Sequence, residues 1–100
     1  MDFKVGDFVT HRVDGSIGLV MATKGQIRDY IKTLWLFCGK QTLNFISAYD
    51  KKSMQKICKN KTLVKKAKCT LNIVFQNKKI DNLTYMEICA RLRKYEQELA

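Results

Sequence analysis

Side-chain catalysis needs a nucleophile beside a base, paired carboxylates, or metal ligands at workable spacing, and this chain has few candidates for any of them. His11 is the only histidine in 100 residues, and a nucleophile without a neighbouring base is a poor one at neutral pH. It falls on an alternating apolar stretch beside the expected core, where a structural role is expected. The carboxylates lie at turns, on the first strand or on the last helix and form no pair. Asp7 follows Gly6 at the start of a strand and is expected to bond local backbone amides. Gly15 and Gly18 precede a hairpin and not a helix, so they make no phosphate-binding fingerprint. Cys38, Cys58, Cys69 and Cys89 contain no C-x-x-C pair. Zinc sites usually present ligands in close pairs, so no metal site is expected, and the four thiols read as small core hydrophobes in a reducing compartment. No catalytic residue and no cofactor are expected, and the chain does not read as an enzyme.

Cationic chemistry is plentiful instead. The net charge is +10 and the isoelectric point about 9.6, which biases the protein toward polyanions. Residues 1–50 carry +1 of this and residues 51–100 carry +9. Lys51, Lys52, Lys56, Lys59, Lys61, Lys65, Lys66 and Lys68 follow one another with no acid between them. Arg91, Arg93 and Lys94 lie on a last helix, where they are expected to extend the basic surface. These eleven residues are the candidate nucleic-acid-binding set.

The elements that must position these groups follow from periodicity. One hundred residues with 46% apolar content suffice for one modest core. Phe8 to Arg12 and Ile17 to Ala22 alternate as strands around Asp14-Gly15-Ser16, which suits a hairpin turn, and Gly18 marks a bulge or sharp bend. Lys24-Gly25 ends the second strand, and Gln26 to Asp29 reads as a polar loop. Tyr30 to Phe37 is the most apolar strand, with Ile31, Thr33, Trp35 and Phe37 on one face and Tyr30, Lys32, Leu34 and Leu36 on the other, so it is expected to be central. Leu43 to Ile46 forms a fourth strand that breaks at Ser47-Ala48-Tyr49-Asp50. Closure into a small, partly closed barrel would remove exposed edges.

Beyond Asp50 the pattern is weaker. Lys51 to Lys61 permits an amphipathic turn or two, or a last barrel strand. Residues 66–75 fit a strand, or a helix through Leu63, Val64, Ala67, Leu71 and Val74. Ile73-Val74-Phe75 favours the strand. Thr84-Tyr85-Met86-Glu87 has the form of a capping box, and Tyr85, Ile88, Cys89, Leu92, Tyr95 and Leu99 recur at helical spacing, so this helix should pack on the sheet.

Phe3-Lys4-Val5-Gly6-Asp7-Phe8-Val9-Thr10-His11, Gly15, Gly18-Leu19-Val20 and Lys32-Thr33-Leu34-Trp35 together resemble the opening of SH3-like barrels of the Tudor and KOW kind. The V-G-D-x-V-x-H run is also similar to the RNA-polymerase-interacting domains of CarD-type regulators and transcription-repair coupling factors. Those families carry a second histidine and a glycine where this chain has Asp14-Gly15-Ser16 with one residue more, a departure from the CarD pattern but not from the general barrel. Short Lys-rich and Asn-rich proteins with such an opening are similar to early proteins of bacteriophages. The resemblance covers roughly the first half of the chain. It implies nucleic-acid contact in KOW-like cases, polymerase docking in CarD-like cases and methylated-ligand capture in Tudor-like cases. Capture needs an aromatic cage, for which only Tyr30, Trp35, Phe45 and Tyr49 are candidates, and these read as core.

The expected fold is therefore α+β and mainly β. A small SH3-like antiparallel barrel at residues 1–50 carries a basic extension and a C-terminal α-helix at residues 51–100, packed as one compact domain. The expected function is non-sequence-specific nucleic-acid binding, duplex DNA foremost, through lysine-phosphate contacts that affect transcription or genome handling. The alternative is a protein-docking module that binds RNA polymerase through a barrel edge, or an inhibitor of a host enzyme. There is no run of about 18 apolar residues. Asp2 and Asp7 stand where a signal peptide would be basic and then apolar. A cytoplasmic location, the host cytoplasm for a viral protein, is the expectation, with no membrane partner.

Overall fold

A computed structural model describes residues 2–23 and 29–100. The expected strand end at Lys24-Gly25 and most of the polar loop after it lie outside the described residues. Five strands, β1 (Phe8–His11), β2 (Ile17–Ala22), β3 (Tyr30–Cys38), β4 (Gln41–Asp50) and β5 (Met54–Ile57), form one antiparallel sheet in the order β4-β3-β2-β1-β5. A single 3-10 turn, Lys51–Ser53, joins β4 to β5, and two helices follow, α1 (Lys61–Gln76) and α2 (Asn82–Glu98). The sheet is not closed: β4 and β5 stand at its two ends.

Local chemistry explains the first hairpin. Gly15 takes φ of +75°, a region that costs other L-residues about 1–2 kcal/mol, and its N–H donates to the His11 carbonyl. Asp14 accepts from the Ser16 backbone N–H at 2.8 Å, and that bond lowers its carboxyl pKa below the ordinary 3.8. The register shifts at Ile17/Gly18 where β2 meets β3, at the glycine whose position suggested a bulge.

β3 is covered on both faces, as a central strand must be. Leu34 and Leu36 join Phe8, Leu19 and Met21 in a core shared with the helices. Ile31 and Trp35 join Phe3, Val9, Val20 and Met54 on the opposite face. Strict alternation puts Phe37 beside Trp35, but it packs toward the helices, because the register slips between Trp35 and Phe37 and reverses the alternation. A second correction concerns the fourth strand, which does not break at Ser47 but runs on to Asp50. Trp35 Nε1 donates to Ser47 Oγ at 3.0 Å, and Tyr49 packs edge-on against Trp35, so tertiary partners hold residues whose polarity suggests a turn.

The third correction is the largest. Residues 66–75 are helix, not strand. Asn60 caps α1 by accepting from the Leu63 N–H at 2.9 Å, and Leu63, Val64, Ala67, Leu71 and Val74 are buried at helical spacing against the sheet and α2. Burying each larger apolar side chain contributes roughly 1.5–3 kcal/mol, far more than the few tenths by which β-branched residues disfavour a helix. Thr70 shares this buried face, and its hydroxyl has no hydrogen-bond partner among the described residues. Thr70→Val keeps the shape and removes the unpaired group, so it is expected to raise stability by about 1 kcal/mol, read as a higher urea midpoint with an unchanged slope.

α2 also begins earlier than expected. Asp81, not Thr84, is its cap and accepts from the Thr84 N–H at 2.8 Å. The helix nonetheless buries Ile88 and Leu92 and half-buries Tyr85, Cys89, Tyr95 and Leu99, as its spacing predicts. Bonding from Thr84 holds the Asp81 carboxyl below its ordinary 3.8. A carboxyl depressed in the folded state contributes stability above its unfolded pKa, which is lost as pH falls through the folded pKa. Asn caps as well as Asp but does not titrate. Asp81→Asn is therefore expected to show a smaller fall in melting temperature below pH 3.8 than the native chain, followed by circular dichroism.

The cysteines meet the core expectation only in part, since of the four Cys89 alone packs against the core cluster. Cys58 and Cys69 are exposed, and Cys38 and Cys89 are half-buried. Cys69 sits on the outward face of α1, opposite the buried stripe, where helical phase and not side-chain polarity sets its exposure.

Candidate nucleic-acid interface

The run from Lys51 to Lys68 is not an appendage to a finished sheet. It supplies the 3-10 turn, β5, the following linker and the first half of α1, so the structure deals its lysines to different surfaces.

Lys51 and Lys52 sit at the end of β4 beside Arg12, Asp29 and Asp50. Lys56 on β5 pairs with Asp7 at 3.2 Å. Asp7 also accepts from the Lys4 N–H at 2.8 Å. Lys59 meets Glu98 at 2.9 Å and lies over the Tyr95 ring. Its hydrogen bond to Glu98 raises the pKa of the ammonium above the ordinary 10.5. Burial raises that of the Tyr95 phenol, whose O–H donates to the Gly6 carbonyl at 2.9 Å. These contacts tie the β5 side of the sheet to the C-terminal end of α2.

The helix lysines are differently placed. α1 carries Lys61, Lys65, Lys66 and Lys68 and no acid. Lys61, Lys65 and Lys68 recur at i, i+4 and i+7, which puts them on one exposed side of the helix. Lys66 leans the other way and lies over the Phe37 ring. Among the described residues, Lys68 alone of the stripe has an acidic partner, Glu96 of α2, at 3.1 Å. An exposed pair of this kind is weak and screened by salt, so a phosphate can compete for the ammonium.

Two adjoining grooves run between the helices on this side. One, of about 570 Å³, has Lys61, Lys65, Lys68 and Glu96 on its walls. The other, of about 480 Å³, has Lys68, Asn72, Tyr85, Met86 and Arg93. Tyr85 donates to Asn72 Oδ1 and stacks on Phe75, which fixes the second groove's floor. Arg93 therefore shares a surface with the α1 lysines.

Arg91 and Lys94 do not join that surface. Arg91 lies on the opposite flank of α2, next to Gly6 and Glu87, and Lys94 is exposed between the two directions. The residues brought together are thus Lys61, Lys65, Lys68 and Arg93. Asn72 completes the stripe. A strand reading of residues 66–75 hides it; a helical phase shows it one turn beyond Lys68.

Among the described residues there is no group of three or more His, Cys, Asp or Glu side chains placed to hold a metal ion. None of their helices is long and apolar enough to cross a membrane. His11 is engaged structurally, its Nδ1 accepting from the Val13 N–H at 3.3 Å. Comparison of this chain with protein-family models, with curated proteins and with solved structures gave no match.

Proposed function

We propose that this protein binds nucleic acid without sequence specificity, duplex DNA foremost, through the outward face of α1, and so affects transcription or genome handling by occupancy. The observation that carries the reading is a packed helix with four lysines and no acid, three of them on one exposed side. Lys61 makes the point most clearly. It occupies the first helical position, with no acid in the first turn, where the helix dipole disfavours a cation. A residue that works against its own helix suits a surface selected for something outside it.

The stripe from Lys61 to Lys68 rises about 10 Å along the helix. Duplex DNA presents a charge about every 1.7 Å of axis, so that length faces several phosphates. Lysine is a point charge without a rigid fork, which favours phosphate contact over base reading. The barrel reading supports the same placement. β1 to β4 form a meander, β5 returns beside β1, and the sheet curls until His11 of β1 and Tyr49 of β4 bring their rings to 5.2 Å. We read this as an SH3-like arrangement in which the sheet is a platform for the helices.

A mobility-shift titration with duplex at two salt concentrations tests the proposal. Neutralising about four phosphates gives a log-log salt slope near −3.6. Binding that is absent at low salt, or indifferent to salt, would overturn it.

One observation favours a second reading, docking on a protein such as RNA polymerase. β4 is an end strand, and from Gln41 to Tyr49 it carries no charged side chain, whereas free edges are commonly guarded by charge. Retention of a stoichiometric protein partner from nuclease-treated lysate, lost on Ile46→Pro, supports docking. Release of everything by nuclease supports nucleic acid alone.

A further inference from the structure

Phe45 and Tyr49 are large aromatics that β4 leaves 46% and 38% exposed. They share one face of the strand, since Phe45 pairs with Trp35 and Tyr49 with Ile31, both on the same side of β3. Isolated exposed apolar residues are ordinary, but this pair has a prepared support. Trp35 is buried beside them on the neighbouring strand, opposite Phe45, with its indole N–H bonded to Ser47 between the two aromatics. The Tyr49 ring stands edge-on to Trp35 at 5.3 Å and to His11 at 5.2 Å, which fixes its plane.

From these contacts we infer that Phe45 and Tyr49 form a stacking platform for the unpaired bases of a single-stranded nucleic acid. Four residues of strand span about 13 Å, too far for the two rings to sandwich one group, so each offers its own face to a separate base. That spacing also separates the site from a methyl-lysine cage, in which several rings enclose one cation. The four cage candidates do not converge: Trp35 is buried, and Tyr30 pairs with Asp50 on the opposite face of the sheet.

Charge selects a polyanion among possible ligands. Lys40 precedes β4, and Lys51 and Lys52 follow it, so ammonium groups stand at both ends of the aromatic strand. Two acids stand at the Lys51 end, Asp29 and Asp50, against Arg12, Lys51 and Lys52, and Asp50 accepts the Lys52 backbone N–H at 3.0 Å. Duplex bases already have both faces stacked, so only an unpaired strand can use the rings, and stacking accepts any base. This inference shares with the proposed function only its polyanion chemistry; the site, the contacts and the form of the ligand differ.

Trp35 is the only tryptophan, and it reports on the site through Tyr49 without touching the ligand. The experiment titrates the intact protein with oligothymidylate of about a dozen nucleotides, following tryptophan emission, and in parallel with a duplex of similar length. Phe45→Ala is expected to weaken oligothymidylate binding about tenfold and to change duplex binding less than about twofold. Tyr49→Phe, which keeps the ring and its packing, is expected to bind as the native chain does. Lys61→Gln with Lys65→Gln is expected to weaken the duplex and leave the tenfold effect of Phe45→Ala intact. Unchanged oligothymidylate affinity in Phe45→Ala overturns the inference, as does an equal loss for both probes. Binding of oligothymidylate but not of duplex by the native chain counts against the α1 reading and leaves this site standing.

Discussion

Gly18→Ala is expected to destabilise the domain by about 2–3 kcal/mol, the upper range for overpacking a well-filled core. A methyl group there would lie 2.5 Å from Thr33 Cγ2, 2.9 Å from Trp35 Cε3 and 3.0 Å from the Leu34 carbonyl oxygen. None of the three can move cheaply. Thr33 and Trp35 are buried, Trp35 is tethered to Ser47, and the Leu34 oxygen is backbone of the central strand. The glycine is needed for close approach of β2 and β3 and not for an unusual φ, so the effect is steric. For a chain of this size the change corresponds to a fall in melting temperature of about 10–20 °C, measured by circular dichroism. Gly15 provides the contrast. Its Cβ would meet nothing within 4 Å, so Gly15→Ala bears only the cost of a positive φ, about 1–2 kcal/mol. Equal stability of Gly18→Ala and the native protein would mean that β2 and β3 do not approach this closely.

The largest functional effect is expected from Lys61→Gln combined with Lys65→Gln. Removing one lysine–phosphate interaction lowers the log-log salt slope by about 0.9, which at 0.1 M salt is about eightfold in affinity. Together the two changes should weaken duplex binding roughly 60-fold and make the slope shallower by about 1.8. Both side chains are exposed, and neither forms an ion pair among the described residues. Removing Lys61 also relieves the helix dipole, so folding should be unharmed or slightly favoured. The matching substitution of Lys56, held by Asp7, is expected to have little effect on binding. Equal losses from Lys56 and from the α1 pair would mean that overall charge, and not the helix face, governs affinity. Direct titration at several salt concentrations separates the two outcomes.

Much of the amino-terminal half is legible because its signals are local. Asp14-Gly15-Ser16 carries its own turn chemistry, and Gly18 announces an irregular strand. Tyr30 to Phe37 is apolar on both sides, which only a covered central strand can be. The carboxy-terminal half is harder because its local preferences conflict. Ile73-Val74-Phe75 favours extended chain, while Leu63, Val64, Ala67, Leu71 and Val74 favour a helix, and only the sheet and α2 reward one of these patterns with burial. Ser47 to Asp50 misleads for a related reason: what keeps it in the sheet is pairing with Tyr30 to Thr33 of β3 and the bond from the Trp35 indole to Ser47, partners distant in sequence.

The candidate site shows the same division. Composition and order alone placed the basic excess after Asp50, because charge and residue type do not depend on folding. Which cations act together is a matter of helical phase and of pairing across the fold. Once residues 61–76 are helical, Lys61, Lys65 and Lys68 share a side, and Arg93 of α2 lines the adjoining groove that Lys68 also borders. Lys56 and Lys59 are meanwhile drawn off by Asp7 and Glu98, distant in sequence. The sequence by itself therefore determined that the protein is cationic and where along the chain the charge lies. The tertiary structure decided which ammonium groups face solvent together, because that depends on which apolar side chains pack against one another.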